Sequence, residues 1–187
     1  ELLHEAAKSG ADIICLPEYI NCMACPASGS SERTGREAKN LLDQTAQCSA
    51  EHQCYIIASV LIDTGQGRFN RSVVFDRSGN KTGHYDKVHL TNIEQDQWGV
   101  SPGKDWPVFE CDFGKIAIMT CYDGCFPEPP RILALRGAEI IFWPSLQRTF
   151  TQTQLILQTQ AHAHFNFVTV VRSSYGTEKD RVWKPGT

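Results

Sequence analysis

Two stretches far apart in the chain carry one pattern, and that pattern restricts the fold more than any other feature. AAKSGADIICLPEY, residues 6 to 19, ends a helix, places a glycine, then runs Ile13, Ile14, Cys15 and Leu16 into a proline. LALRGAEIIFWPS, residues 133 to 145, repeats it with Gly137, an acidic residue, then Ile140, Ile141, Phe142, Trp143 and Pro144. Each glycine stands where a helix closes through a left-handed residue. Each apolar run is short and lacks polar alternation, as a strand buried on both faces requires. The chain therefore reads as two related α/β layers.

The intervening segments fit that reading. REAKNLLDQTAQCSAEHQ predicts a helix with Ala38, Leu41, Leu42 and Thr45 on one face. YIIASVLID predicts a strand, and FNRSVVFD and KTGHYDKVHL flank the turn RSGN as a hairpin leading to Lys87. The polar stretch TNIEQDQWGVSPGKDW is a loop long enough to suggest function. KIAIMTC predicts a strand ending at Cys121, and PEPPRILALRG a helix whose prolines suit its first turn. TQLILQTQAHAHFN and FVTVVRSS supply a last helix and strand. No linker divides the chain, so residues 1–187 are read as a single α/β domain. It opens in mid-helix and stops at KPGT just after a strand, so the core is expected to be incomplete at both ends.

Composition removes several function classes. Eighteen basic against 21 acidic residues leave no basic stripe, which argues against nucleic acid as a partner. No run approaches the roughly 20 apolar residues of a membrane span. The opening ELLHEAAKSG lacks the basic start and apolar middle of a signal peptide. Eight cysteines do not read as a disulfide framework, because Cys15, Cys54 and Cys111 sit in or beside strand-like runs as small hydrophobes. A reducing, cytoplasmic setting follows from that placement.

Three residues stand where chemistry is done. Cys121 ends a strand immediately before a helix, a turn that exposes a nucleophile and frees backbone N–H groups for a developing anion; a buried packing cysteine is the alternative. Glu18 occupies the corresponding end of the first repeat, as a solvated loop carboxylate or a general base. Lys87 closes the hairpin between Tyr85, Val88 and Leu90. A rival grouping joins Cys22 and Cys25 to Cys121 and Cys125 as four thiolates for a structural zinc, although the second spacing is unusual for that purpose. His162 and His164 alternate and form no zinc-binding helix motif, and Asn70-Arg71-Ser72 matches the glycosylation triplet by chance.

LPEY around Glu18, YDKVHL around Lys87 and CYDGCFPE around Cys121, in that order, resemble the three signatures of the nitrilase superfamily of carbon-nitrogen hydrolases. FNRSVVFD, SPG and RGAEIIFWPS add supporting matches, so the likeness covers nearly the whole chain. The resemblance implies a four-layer α-β-β-α sandwich that here lacks its first strand and closing strands. It implies Cys121 as nucleophile, Glu18 as general base, and Lys87 with the Tyr122 backbone N–H as oxyanion donors, with a thioester intermediate and neither metal nor cofactor. A second acid in the loop after the lysine would be Glu94 by residue type or Asp96 by counting back from SPG. Cys121-Tyr122-Asp123 favours an amidase or carbamoylase acting on a small amide or N-carbamoyl compound with release of ammonia; nitrile hydrolysis by the same triad is the alternative. A non-catalytic scaffold remnant is a third reading, and relatives imply a homodimer or larger homo-oligomer. Trp98, Trp106 and Arg148 are candidates for shaping specificity.

Overall fold

The computed structural model describes residues 2–22, 31–146 and 151–175. It places two four-stranded sheets face to face. Helix α1 (Leu2–Lys8) leads into β1 (Ile13–Cys15), and α2 (Ser31–His52) into β2 (Tyr55–Thr64). Strands β3 (Gly67–Phe75) and β4 (Lys81–Asp86) complete a first sheet ordered β1-β2-β3-β4. The second sheet is ordered β5-β6-β7-β8, from β5 (Val108–Cys111), β6 (Gly114–Ile118), β7 (Ile140–Pro144) and β8 (Thr169–Ser173). Helices α3 (Glu128–Leu135) and α4 (Gln152–Asn166) accompany it.

Both glycines of the repeated pattern take the left-handed conformation, Gly10 with φ 78° and Gly137 with φ 94°. Each is followed by a strand in parallel pairing: Ile13 lies opposite Tyr55, and Ile140 opposite both Ile116 and Thr169. β2 and β3 form a long antiparallel pair from Ile56↔Phe75 to Thr64↔Gly67, and the β3–β4 pairing has a register shift at Val74/Phe75. Such a bulge adds local twist.

Alternation along β2 sorts the layers. Tyr55 and Ile57 point between the sheets, where they join Val74, Tyr85, Ile116, Ile118, Ile141 and Trp143. Ile56 points the other way, to Cys48 and Ala7 of the helices, and Ala58 packs beside Leu41 and Leu42. The α2 face is wider than expected, since Thr34, Ala38, Thr45, Cys48 and Ser49 are all buried. The result is the four-layer order of helices, sheet, sheet, helices. Burying each large aliphatic of the central layer contributes about 1.5–3 kcal/mol.

Three local features depart from the sequence expectation. β5 is a strand that sequence reading passed over, paired antiparallel to β6 from Val108↔Ala117 to Cys111↔Gly114. The polar loop contains one wide helical turn, Ile93–Gln97. The cysteine strand stops at Ile118, and a tight turn, Cys121–Cys125, precedes α3. Arg148 and Cys25 lie outside the described residues.

The SPG motif has a steric reason. Ser101 N–H donates to the Arg68 carbonyl at 2.7 Å and Gly103 N–H to the Lys87 carbonyl at 2.8 Å, laying the loop against the hairpin. A Cβ at Gly103 would sit 2.0 Å from the Asp86 carbonyl oxygen, whereas one at Gly65 would meet nothing within 4 Å. Gly103→Ala is therefore expected to destabilise the protein by about 1–3 kcal/mol in urea unfolding, with Gly65→Ala within about 0.5 kcal/mol of wild type. Equal stability of the two variants would remove this account of the motif.

Candidate active site

Strand ends from both sheets converge on one buried polar cluster. The chain after β1 continues along β2, with Leu16 N–H donating to the Ile57 carbonyl at 2.9 Å and Ile20 N–H to the Ser59 carbonyl at 3.0 Å. Glu18 is thereby carried inward and is only 1% exposed. Lys87, immediately after β4, is pinned by its N–H to the Asn70 carbonyl at 2.9 Å, and is also 1% exposed.

The Lys87 ammonium donates to Glu18 Oε1 at 2.9 Å and to Glu94 Oε1 and Oε2 at 2.9 Å each. Asn70, from the middle of β3, bridges the two acids through Nδ2, at 2.8 Å from Glu18 Oε1 and 3.1 Å from Glu94 Oε1. Glu18 Oε2 accepts from the Leu146 backbone N–H at 2.7 Å, just past the end of the second repeat. Glu94 accepts further from the Tyr19 hydroxyl, from Thr91 N–H at 2.8 Å and from Thr91 Oγ1 at 2.9 Å. Of the two candidate loop acids, the helical turn thus directs Glu94 into the cluster and leaves Asp96 exposed.

Burial opposes the Lys87 charge, but the Glu18 and Glu94 carboxylates outweigh it and hold the ammonium well above the ordinary lysine range. Burial likewise works against the Glu94 carboxylate, and Lys87 with the Tyr19 and Thr91 donors nevertheless pulls its pKa below 4.5. Both groups are therefore charged at neutral pH.

Cys121 sits at φ 46°, a left-handed backbone that a side chain rarely adopts. Such a residue is held by its surroundings. Trp143 Nε1 donates to the Cys121 carbonyl at 2.9 Å, and the Gly124 carbonyl accepts from His162 Nε2 at 2.8 Å. The fully buried Asp123 carboxylate accepts from Thr120 N–H at 2.7 Å, Tyr85 OH at 2.7 Å and His89 N–H at 2.9 Å. Asp123 thus fastens the turn to the lysine segment. Gly124 lies flat on Trp143, where a Cβ would come within 2.1 Å of the indole.

The Cys121 thiol lies within electrostatic reach of the Glu18 carboxylate, the Leu146 backbone N–H and Lys87; burial and Glu18 push its pKa well up despite the lysine. It rests as a thiol with a carboxylate beside it. Arg172 of β8, stacked 5.3 Å over the Trp143 ring, is a second cation within electrostatic reach of the sulfur. Tyr122 is partly exposed and edges onto Phe126. Trp106 stacks on Tyr85 and Trp98 edges onto Tyr19, so both aromatic rings support residues of the cluster.

Sequence reasoning missed Asn70 and Tyr19. Asn70 is 1% exposed, so its triplet is no acceptor in the folded chain; the available signal was an amide in the middle of a predicted strand. Among the described residues, Cys22, Cys121 and Cys125 do not assemble into a metal-ligating group, and no disulfide joins the described cysteines. No described helix is long and apolar enough to cross a membrane.

Comparison with known proteins gives the same picture. The omega-amidase NIT2-B of Xenopus laevis is 30% identical over 157 residues, which are 77% of this chain and 55% of that protein. The N-carbamoylputrescine amidase of Arabidopsis thaliana is 27% identical over 187 residues, 92% of this chain and 62% of that one. A carbon-nitrogen hydrolase from Helicobacter pylori G27 superposes with a TM-score of 0.80 at 25% identity, covering 96% of this chain and 67% of that one. The chain spans about half the length of the curated relatives it matches. With the carbon-nitrogen hydrolase model matching residues 1–185 and the same architecture in a solved relative, this chain belongs to the carbon-nitrogen hydrolase family.

Proposed function

We propose that the chain carries the site of a cysteine-dependent hydrolase that cleaves a small amide or N-carbamoyl compound and releases ammonia. The observation that carries this reading is the meeting of the Cys121 thiol, the Glu18 carboxylate and the Lys87 ammonium at buried strand ends. The omega-amidase and carbamoyl amidase relatives support an amide rather than a nitrile.

Glu18 is the general base. With the thiol held neutral by burial, the proton moves to Glu18 as Sγ attacks the carbonyl carbon, so the thiolate need not exist beforehand. The carbonyl oxygen becomes an oxyanion, stabilised by the Tyr122 backbone N–H and by Lys87. The lysine already donates to three carboxylate oxygens, so it acts through its charge, which is strong where water is excluded. The C–N bond then breaks, Glu18 returns its proton to the nitrogen, and ammonia leaves a thioester on Cys121. Water, deprotonated by Glu18, attacks that thioester and regenerates the thiol, with a carboxylic acid as product from an amide; an N-carbamoyl compound instead passes through a thiocarbamate to a carbamic acid, which loses CO2 to leave the amine. Glu94 touches no reacting atom; it is a positioning residue that holds Lys87. None of these steps calls on a metal or cofactor.

We also infer a homo-oligomer working in the cytoplasm. Exposed Leu135, Leu157, Phe165 and Phe167 on or beside α3 and α4 support association, and the absence of disulfides among the described cysteines supports a reducing compartment.

Cys121→Ala is expected to abolish ammonia release from a panel of small amides and N-carbamoyl compounds, and Glu18→Gln to lower kcat by about 10²–10⁴-fold. Turnover in Cys121→Ala, or of nitriles in preference to amides, would sink the assignment. Glu94 binds its proton less tightly folded than unfolded, so its contribution to stability is present above pH 4.5 and is lost as pH falls through the folded value. The melting-temperature advantage of wild type over Glu94→Gln should therefore shrink on acidification below about pH 4.5. A constant difference across that range would show that the carboxylate is not held by charge.

A further inference from the structure

Away from the active site, on the outer helical layer, three metal-ligating side chains converge. His4 comes from α1; Cys48 and His52 come from α2, spaced i and i+4 and so on one helix face. His4 Nδ1 lies 3.1 Å from His52 Nε2 and 3.7 Å from Cys48 Sγ, and all three ligand atoms fall within 4.8 Å of one another. Cys48 is fully buried, while His4 is half exposed and His52 partly so, which leaves the group reachable from solvent.

The two separations measured from His4 Nδ1 match edges of a coordination tetrahedron. With zinc–nitrogen bonds of about 2.05 Å and a zinc–sulfur bond of about 2.3 Å, ideal tetrahedral angles put two nitrogens about 3.3 Å apart and nitrogen and sulfur about 3.6 Å apart. Hydrogen bonding accounts less well for the same contacts. A ring nitrogen carries either one proton or one lone pair, so His4 Nδ1 makes one good hydrogen bond, yet it faces two partners. A cation that accepts a lone pair from each atom satisfies all three together. The Glu51 carboxylate, 3.8 Å from His4 Nδ1, adds negative charge at the rim.

We propose that His4, Cys48 and His52 bind one divalent transition metal of the zinc class, with the fourth position filled by water or Glu51. Binding forms one metal–sulfur and two metal–nitrogen bonds and releases the Cys48 thiol proton to solvent. The metal fastens α1 to α2 over the sheet whose first strand leads to Glu18. The site is separate from the hydrolase reading and stands or falls without it.

The test is titration of metal-free full chain with Co²⁺, followed by displacement with Zn²⁺. One equivalent should give the visible bands of tetrahedral cobalt with a thiolate charge-transfer band, and zinc should bleach both. The charge-transfer band should vanish in Cys48→Ser. Affinity should drop more than about tenfold in His4→Ala and in His52→Ala, since loss of a direct ligand exceeds the 10–100-fold cost typical of its outer supports. His4 is a surface residue, so that variant keeps the test decisive even where Cys48→Ser fails to fold. The doubly substituted Cys22→Ser, Cys25→Ser variant should retain the spectrum. Absence of these bands in folded wild type, their formation at wild-type affinity in His4→Ala, or their loss in the Cys22, Cys25 variant would each overturn the proposal.

Discussion

A single buried ammonium, that of Lys87, is divided between two buried carboxylates, and much of the surrounding structure follows from that imbalance. A charge removed from water costs several kcal/mol unless it is paired and fully hydrogen-bonded. One cation cannot neutralise two anions, so the excess negative charge is met by neutral donors: the Asn70 amide, the Tyr19 hydroxyl, Thr91 and the Leu146 N–H. Each requirement shapes a backbone. Tyr19 takes φ 58° directly after Glu18, and a wide helical turn presents Glu94 while its own neighbours stay in solvent. The left-handed φ of Cys121 belongs to the same scheme, since Asp123 holds that turn to the lysine segment and Trp143 holds it to β7.

The residues legible in the sequence were those whose polarity interrupts an apolar pattern at a strand end. Glu18 and Cys121 each follow a hydrophobic run, Lys87 was marked instead by its place at the end of a hairpin and by the YDKVHL resemblance, and the repeated glycine-strand-proline pattern announced two of the strands. Glu94 and Asp96 were indistinguishable because the wide turn changes which residue of IEQDQ faces inward, and nothing in a polar loop reveals that phase. Asn70 was masked by its resemblance to a modification triplet, although FNRSVVF carries an amide where an inward hydrophobe would ordinarily stand. β5 escaped because it is four residues long, follows Pro107 and lies at a sheet edge, where pattern carries little weight.

The cysteines show how environment alone sets the use of a thiol. Burial pushes Cys15 to about 12, and Cys111, beside Asp112, to about 11, which leaves both inert at neutral pH. Cys121 is raised by the same cause, and Glu18 lies within its electrostatic reach, the arrangement on which the proposed general-base role rests. High intrinsic pKa then becomes a safeguard, because an unoccupied site exposes no standing thiolate to oxidants.

The hydrogen bonds around Glu18 also bear on when the site comes into being. Its side chain accepts from Leu146, 128 residues away, its carbonyl accepts from Tyr175, 157 residues away, and Cys15 just before it accepts from Ser173 at a separation of 158. Closing loops of that size gives no reward until both sheets have formed and met. A nascent chain can pair β1 with β2 early, but it cannot bury the Glu18 carboxylate with its donors until β7 and β8 have been made and docked. The polar cluster around Glu18 is thus completed only when segments more than a hundred residues apart have docked, and a partly folded chain holds Cys121 without Glu18 beside it.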